Sequence, residues 1–308
     1  MLQQWDERNR DLVVNVGGVL RHRDEAGVSP FDSVVQGGDA VWEGLRLYQG
    51  RIFALDAHLR RLRASARALA FTGIPDDAAL VEEIRRTLVA NDMHDGVHIR
   101  LTLTRGVKIT SGMDPRLNRS GPTLIVVAEH KAPVYDRGGI TLVTASVRRP
   151  APDVLDPKIH HNNLLGSILA KLEANVAGAD DAVMLDQRGF LAETNATHLF
   201  FVAGGVLRTP TTVACPEGIT RATVLRLARQ AGGEVEEGDF TLPQLYAADE
   251  AFVTGTVGEL APVVAVDGRP IGDGRPGPVT GELARRYAQL TATEGTPVVA
   301  PAGAGAGA

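Results

Sequence analysis

The sequence predicts an α+β protein of two domains, and three observations lead there. Candidate strands and helices follow one another in mixed order, 308 residues leave room for about two hydrophobic cores, and a Pro/Gly-containing stretch from His130 to Gly139 interrupts the chain near its middle. The expected organisation is an N-terminal domain over 1–130, a linker over 131–139, a larger C-terminal domain over 140–295, and a Pro/Gly/Ala tail over 296–308 that reads as disordered.

The elements follow in order. Leu12 to Leu20 is β-rich and broken by Gly17-Gly18, and Ser33 to Gln36 runs into the loop Gly37-Gly38-Asp39. Gly44 to Tyr48 and Ile52 to Leu55 flank a turn at Gln49-Gly50. Asp56 is placed to cap a helix whose Leu59, Leu62, Ala66 and Leu69 repeat at helical spacing, and Leu80, Ile84 and Leu88 mark a second amphipathic helix. Val97 to Thr104 alternates cleanly, with Val97, Ile99, Leu101 and Leu103 on one side and His98, Arg100, Thr102 and Thr104 on the other. Thr123 to Ala128 is a nearly continuous apolar run of the buried type. Beyond the linker come a strand from Ile140 to Val147, a loop punctuated by Pro150, Pro152 and Pro157, and a helix from Leu164 to Val176 with Ile168, Leu169 and Leu172 facing inward. Ala182–Leu185, Phe190–Thr194 and His198–Val202 suggest an antiparallel group. A helix from Thr220 to the Gly232-Gly233 break, short strands at Ala251–Thr254 and Val263–Val266, and a helix over Gly281–Leu290 complete the reading.

Composition narrows the function classes. A net charge of -5 without a block of like charge argues against a nucleic-acid binder, and no apolar run approaches the roughly 18 residues that span a bilayer. The opening residues lack a basic stretch leading into an apolar core, and the one cysteine, Cys215, cannot form an internal disulfide or a thiolate zinc site, so a cytoplasmic setting is expected. Only four lysines occur, at 108, 131, 158 and 171, which limits the candidates for amine chemistry.

Several residues admit two readings. Gly218-Ile219-Thr220 before a helix is either a plain cap or an anion site built from free backbone N–H groups, and Thr254-Gly255-Thr256-Val257-Gly258 at a strand end has the same character. Lys158 is a turn lysine or a reactive amine, and Glu193 is an edge carboxylate or a buried one that needs a partner. His160-His161 lacks metal-ligand spacing, and no metal is expected.

Taken together, Val41-Trp42-Glu43-Gly44-Leu45-Arg46, His58-Leu59-Arg60-Arg61-Leu62, Lys158, Leu185 to Gly189 through Glu193, Pro216 to Arg221, Thr254-Gly255-Thr256 and Gly277-Pro278-Val279-Thr280 give a resemblance in order and spacing. The chain resembles the class IV, fold type IV pyridoxal-phosphate enzymes: branched-chain aminotransferases, D-amino-acid transaminases and aminodeoxychorismate lyases. The resemblance runs from about Gly17 to Tyr287. It implies a smaller N-terminal α/β domain and a larger, β-barrel-like C-terminal domain with helices. It further implies that Lys158 forms the internal aldimine with pyridoxal 5'-phosphate and shuttles the proton between substrate Cα and cofactor C4′, which calls for an amine made neutral by burial and by the aldimine. Glu193 would face the pyridine nitrogen. Arg61, Ile219, Thr220 and Thr256 would hold the phosphate.

For substrate, the same resemblance places Arg100 and the Thr256 and Val257 amides near the carboxylate, and puts Gly37, His98 and Asn163 where branched-chain enzymes tend to carry tyrosines. His198 stands where an Asn is usual, five residues beyond the Glu. Thr104-Arg105-Gly106 is not followed by the Arg-x-His segment shared by D-amino-acid transaminases. The implied activity is transfer of an amino group between a branched-chain or other hydrophobic L-amino acid and 2-oxoglutarate. A D-amino-acid transaminase, an aminodeoxychorismate lyase and a non-catalytic binding module are the alternatives. The implied partners are amino and 2-oxo acids and a second copy of the chain, as a homodimer or higher assembly, with Arg105–Pro115 the candidate intersubunit loop.

Overall fold

The computed structural model describes residues 5–136 and 138–301. Two compact units emerge: one from residues 5–132 together with 159–163 and 291–301, the other from 133–158 with 164–290. The chain therefore returns to the first unit twice, which a division into contiguous domains does not anticipate.

In the first unit, strands β1 (Val13–Val16) and β2 (Val19–His22) form a hairpin whose turn residues Gly17 and Gly18 have φ of 60° and 82°, a left-handed pair that glycine adopts without a Cβ clash. Ser33–Gly37 is a short helix, α1, capped by the Asp32 side chain and ended by Gly38 at φ 66°. Strands β3 (Ala40–Tyr48) and β4 (Arg51–Ile52) lead into helices α2 (Leu55–Ala68) and α3 (Asp77–Ala90), followed by β5 (Val97–Thr104) and β6 (Leu124–His130). The strands form one antiparallel sheet in the order Thr296–Pro297, β4, β3, β5, β6, β1, β2.

The core of this unit follows the sequence periodicity. Val97, Ile99, Leu101 and Leu103 of β5 are fully buried against Leu55, Leu59, Leu62 and Ala66 of α2 and Leu80, Ile84 and Leu88 of α3. Each such aliphatic side chain contributes about 1.5–3 kcal/mol by leaving water, so Leu62→Ala alone would cost about 2–5 kcal/mol. Three expectations are corrected here. Asp56 does not cap α2: the helix begins one residue earlier, at Leu55, from Ala54 in a left-handed conformation, and Asp56 lies in its first turn. Strand β6 alternates buried and half-buried residues, because only one of its faces packs on the helices. The tail expected over 296–308 is ordered at its start, with Thr296–Pro297 paired to Arg51–Ile52 and Val298 buried; residues 302–308 lie outside the described residues.

The second unit runs through β7 (Ile140–Thr144), α4 (Pro152–Leu155), α5 (Leu165–Val176), β8 (Asp181–Leu185), β9 (Leu191–Thr194), β10 (His198–Ala203) and β11 (Val206–Pro210). It continues with α6 (Ile219–Gln230), β12 (Val235–Gly238), α7 (Leu242–Tyr246), β13 (Glu250–Gly255), β14 (Glu259–Val266), β15 (Arg269–Pro270) and α8 (Pro278–Thr293), the last ending beyond this unit. Among the described residues the sheet order is β12-β11-β10-β13-β14-β7-β8-β9, with β15 on β14. Pairings β11/β12, β14/β7 and β7/β8 are parallel and the others antiparallel, and end strand β9 packs back on β10, which curls the sheet. The concave core includes Leu142, Val183, Leu199, Phe201, Val253 and Val263.

Helix α5 corrects a further expectation. Ile168, Leu169 and Leu172 point outward, and the residues facing the sheet are Ala170 and Ala174. The Gly277-to-Thr280 segment serves the start of α8: the Glu250 carboxylate accepts from the Val279 and Thr280 amides and the Thr280 hydroxyl. Among the described residues, no helix is long and apolar enough to cross a membrane.

Candidate active site

In the second unit, the chain leaves α4 through Asp156-Pro157-Lys158, a turn fixed by the Lys158 amide donating to Asp156 Oδ1 at 2.9 Å. The Lys158 side chain is exposed, and Nζ donates to the Thr212 carbonyl at 3.1 Å. Burial of this amine, expected from the sequence, is not observed. Glu193 is buried on β9, and its carboxylate lies 2.9 Å from the guanidinium of Arg149 and 3.9 Å from Nδ1 of His198. Arg149 is anchored by its backbone amide to the Leu185 carbonyl and by Nε to the Ala214 carbonyl.

Sequence reasoning missed Arg149. It stands in the Pro-punctuated loop beside Arg148 with no motif around it, and the buried carboxylate that demands a partner is the one signal that pointed to it.

Helix α6 starts at Ile219 behind Gly218, an N-cap that offers no side-chain hydrogen bond, so the amides of Ile219 and Thr220 head the helix without a capping side chain. Gly218 abuts His198: a Cβ there would lie 2.2 Å from the imidazole. His198 pairs across the sheet with Thr254, whose buried hydroxyl has no hydrogen-bond partner. Thr256 and Val257 form the half-exposed turn between β13 and β14. Arg221, in the first turn of α6, is committed to the Pro210 carbonyl and to Glu237, both at 2.8 Å.

Glu193, His198 and Cys215 bring potential ligand atoms within 4.8 Å of one another. The Arg149 guanidinium pairs with Oε1 of the carboxylate, and burial together with the Glu193 charge pushes the Cys215 thiol well above its ordinary range.

In the first unit, Arg61 of α2 clamps Glu43 of β3 with Nε to Oε1 at 2.8 Å and Nη2 to Oε2 at 2.7 Å. His58 Nδ1 lies 2.7 Å from Oε2 and His160 Nδ1 3.6 Å from Oε1. Burial works to raise the Glu43 carboxyl, but the Arg61 hydrogen bonds and charge, with His58, outweigh it and hold the group at about 2. Burial and the Arg61 charge lower His160 to about 4. The segment 159–163 joins this unit by pairing with β3: the Trp42 amide donates to the His160 carbonyl, the Asn162 amide to that of Ala40, and the indole to that of His161.

Arg100 lies 3.9 Å from the Trp42 ring centre and donates to Asn162 Oδ1 at 3.2 Å. His98, on the same strand face, is pushed to about 3 by burial and then by the charges of Lys131, Arg46 and Arg100, so it is neutral near pH 7. Its Nδ1 is buried without a partner. Gly37 is exposed at the end of α1, and the Asn163 side-chain amide reaches the Gly38 carbonyl at 3.4 Å.

The structure thus groups Lys158, Glu193, Ile219, Thr220, Thr256 and Val257 in one unit and Arg61, Arg100, His98 and Gly37 in the other. The fold, with the curled mixed sheet of the second unit, is that of the fold type IV class of proteins. The chain belongs to the class IV aminotransferase family: the family model described as Amino-transferase class IV matches residues 40–266.

Among relatives, branched-chain-amino-acid aminotransferase-like protein 2 of Arabidopsis thaliana is 54% identical over 291 residues, covering 94% of this chain and 52% of the relative, so the chain spans about half the length of that protein. A putative branched-chain-amino-acid aminotransferase of Methanocaldococcus jannaschii is 39% identical over 91% of this chain and 96% of its own length. A D-alanine aminotransferase of Bacillus licheniformis is 32% identical over 87% and 93%. The solved structure of a T.th. branched-chain amino acid aminotransferase complexed with N-(5'-phosphopyridoxyl)-L-glutamate superposes with a TM-score of 0.86 at 34% identity, covering 92% of this chain and 95% of that one.

Proposed function

We propose that the chain is a pyridoxal-phosphate-dependent aminotransferase acting between a branched-chain or other hydrophobic L-amino acid and 2-oxoglutarate, with Lys158 as the point of cofactor attachment. The observation that carries the reading is the buried Glu193 carboxylate held at 2.9 Å by Arg149 in the unit that also presents the Lys158 amine and the uncapped start of α6. The residues fit the group. A buried anion suits a protonated ring nitrogen, a reachable primary amine suits an aldehyde, and a helix start suits a phosphate, while the partnerless Thr254 hydroxyl leaves a donor to spare.

When bound, such a cofactor supplies the electron sink that makes the substrate Cα proton removable. The chain's own residues do the rest. Glu193, paired with Arg149, would face the ring nitrogen and favour its protonated form. Lys158 Nζ would carry the proton removed from substrate Cα, a role that an exposed side chain able to leave the Thr212 carbonyl can serve.

In the second unit Ile219, Thr220 and Thr256 would donate to the phosphate; in the first unit the resemblance assigns Arg61, oriented by Glu43, to the same group. For the substrate, the resemblance assigns the Thr256 and Val257 amides of the second unit and Arg100 of the first to the carboxylate, and His98 and Gly37 of the first unit to the side chain. A neutral His98 offers a hydrogen bond without a charge, which makes this border more polar than an aliphatic substrate alone requires.

The test is a donor panel with the purified chain. L-leucine plus 2-oxoglutarate should yield L-glutamate through alternating half-reactions. Turnover of D-alanine with D-glutamate formation would replace this reading by a D-amino-acid transaminase, and pyruvate release from aminodeoxychorismate alone would replace it by a lyase.

A further inference from the structure

His198 stands in this chain where the resemblance expects an asparagine, and its buried imidazole lies between two features of the second unit that the proposed function gives to different ends of one ligand. On one side, Nδ1 lies 3.9 Å from Oε2 of Glu193, while the Arg149 guanidinium lies 2.9 Å from Oε1. On the other side, the ring edge formed by Cδ2 and Nε2 presses on Gly218, where a Cβ would come within 2.2 Å of each atom. The backbone of Gly218 has a φ of -66°, which any residue adopts. Glycine is required there for the room it leaves the imidazole, and Gly218 is the N-cap of α6.

The residue before His198 makes a matching contact. Thr197 Cγ2 would lie 3.1 Å from a Cβ on Gly255, in the turn Thr254-Gly255-Thr256. Thr197 is in turn held to the neighbour of Glu193: the Thr194 amide donates to the Thr197 carbonyl at 2.7 Å, and the Thr197 amide donates to the Thr194 hydroxyl at 2.9 Å. One tight turn, 193–198, therefore carries the buried carboxylate and braces both glycine-bearing loops. His198 is the side chain of that turn that links the carboxylate to the helix start.

We propose that His198 is a positioning residue that fixes the spacing between the Glu193 carboxylate and the first amides of α6, so that a ligand with a basic ring nitrogen and a phosphate meets both at once. The inference rests on the transaminase reading for the identity of that ligand. The imidazole does this work by its reach. An asparagine side chain has counterparts of Nδ1 and Cδ2 but none of Nε2, one of the two atoms that meet Gly218. A residue that sets the distance between two binding elements contributes to a ligand that spans them, and contributes little to a ligand that occupies either one alone.

The experiment compares the full native chain with His198→Ala and His198→Asn, each freed of cofactor and checked for native circular dichroism. Three probes are used: pyridoxal 5'-phosphate and pyridoxal, each read by absorbance, and inorganic phosphate, read by competition with pyridoxal 5'-phosphate. His198→Ala should weaken pyridoxal 5'-phosphate binding at least about 10-fold, and His198→Asn at least about 3-fold. The affinities for pyridoxal and for inorganic phosphate should change less than about 2-fold in either variant. Should His198→Ala fail to fold, the smaller change in His198→Asn decides the matter.

Unchanged pyridoxal 5'-phosphate affinity in the folded variants would overturn the positioning role and leave the transaminase reading standing. So would an equal loss for all three probes, the mark of a residue that only supports the fold. A native chain that binds no pyridoxal 5'-phosphate would remove the transaminase reading, and this inference with it.

Discussion

Replacing Glu43 by Gln tests how the first unit holds Arg61. The carboxylate is fully buried, accepts two hydrogen bonds from Arg61 and lies 2.7 Å from His58, so the substitution removes one buried charge and leaves its cationic partner in place. The magnitude follows from linkage. Holding the carboxyl at about 2 against an ordinary value of 4.5 corresponds to about 3 kcal/mol of folding free energy. Because the folded value is depressed, this contribution is complete above pH ~4.5 and is lost as the pH falls toward ~2. Urea denaturation followed by the fluorescence of Trp42, which stacks on His160 at 4.4 Å beside the cluster, should show Glu43→Gln destabilised by about 3 kcal/mol at pH 7. The gap should shrink by about 2 kcal/mol at pH 3. A variant as stable as the parent at pH 7, or a gap that stays constant between pH 7 and pH 3, would refute the ion-pair reasoning.

Two further substitutions probe the second unit. Arg149→Met strips the guanidinium from buried Glu193 and is expected to cost about 3–5 kcal/mol, read by denaturation; a loss under 1 kcal/mol would mean that Arg149 is not what neutralises the carboxylate. Gly218→Ala places a methyl 2.2 Å from the His198 ring at an ordinary φ of -66°, so its cost of about 1–3 kcal/mol is steric and should be largely recovered in the double variant with His198→Ala. Failure of the second change to restore stability would place the strain elsewhere.

The sequence disclosed elements whose burial is one-sided and regular. The alternation in 97–104 and the stripes Leu59/Leu62/Ala66 and Leu80/Ile84/Leu88 match the observed core because each pattern has a single apolar face. Helix α5 shows where such reasoning stops. Periodicity reveals that Ile168, Leu169 and Leu172 share a face but not which way it points, and the alanines on the opposite face were the only hint that they point outward. The pairing of Thr296–Pro297 with Arg51–Ile52 joins the far end of the chain to a two-residue strand, too short for any period to register. Asp56 has the chemistry of a cap, yet the left-handed Ala54 begins the helix first.

The candidate site divides the same way. Lys158, Glu193 and the Gly218-Ile219-Thr220 start were legible as chemistry in need of context, and the order of motifs supplied that context. Arg149 was not legible, because an arginine in an irregular loop carries no pattern and its partner is distant in sequence. Lys158 was expected in a buried pocket but is exposed, since its turn is set by Asp156 and Pro157 and faces the Thr212 carbonyl.

The measurement that bears most directly on the proposed chemistry is reduction of the chain with borohydride after incubation with pyridoxal 5'-phosphate, followed by peptide mapping. The expected result is one stoichiometric phosphopyridoxyl adduct, on the ε-amine of residue 158 and absent from Lys158→Ala. An adduct on another of the four lysines, or none, would contradict it.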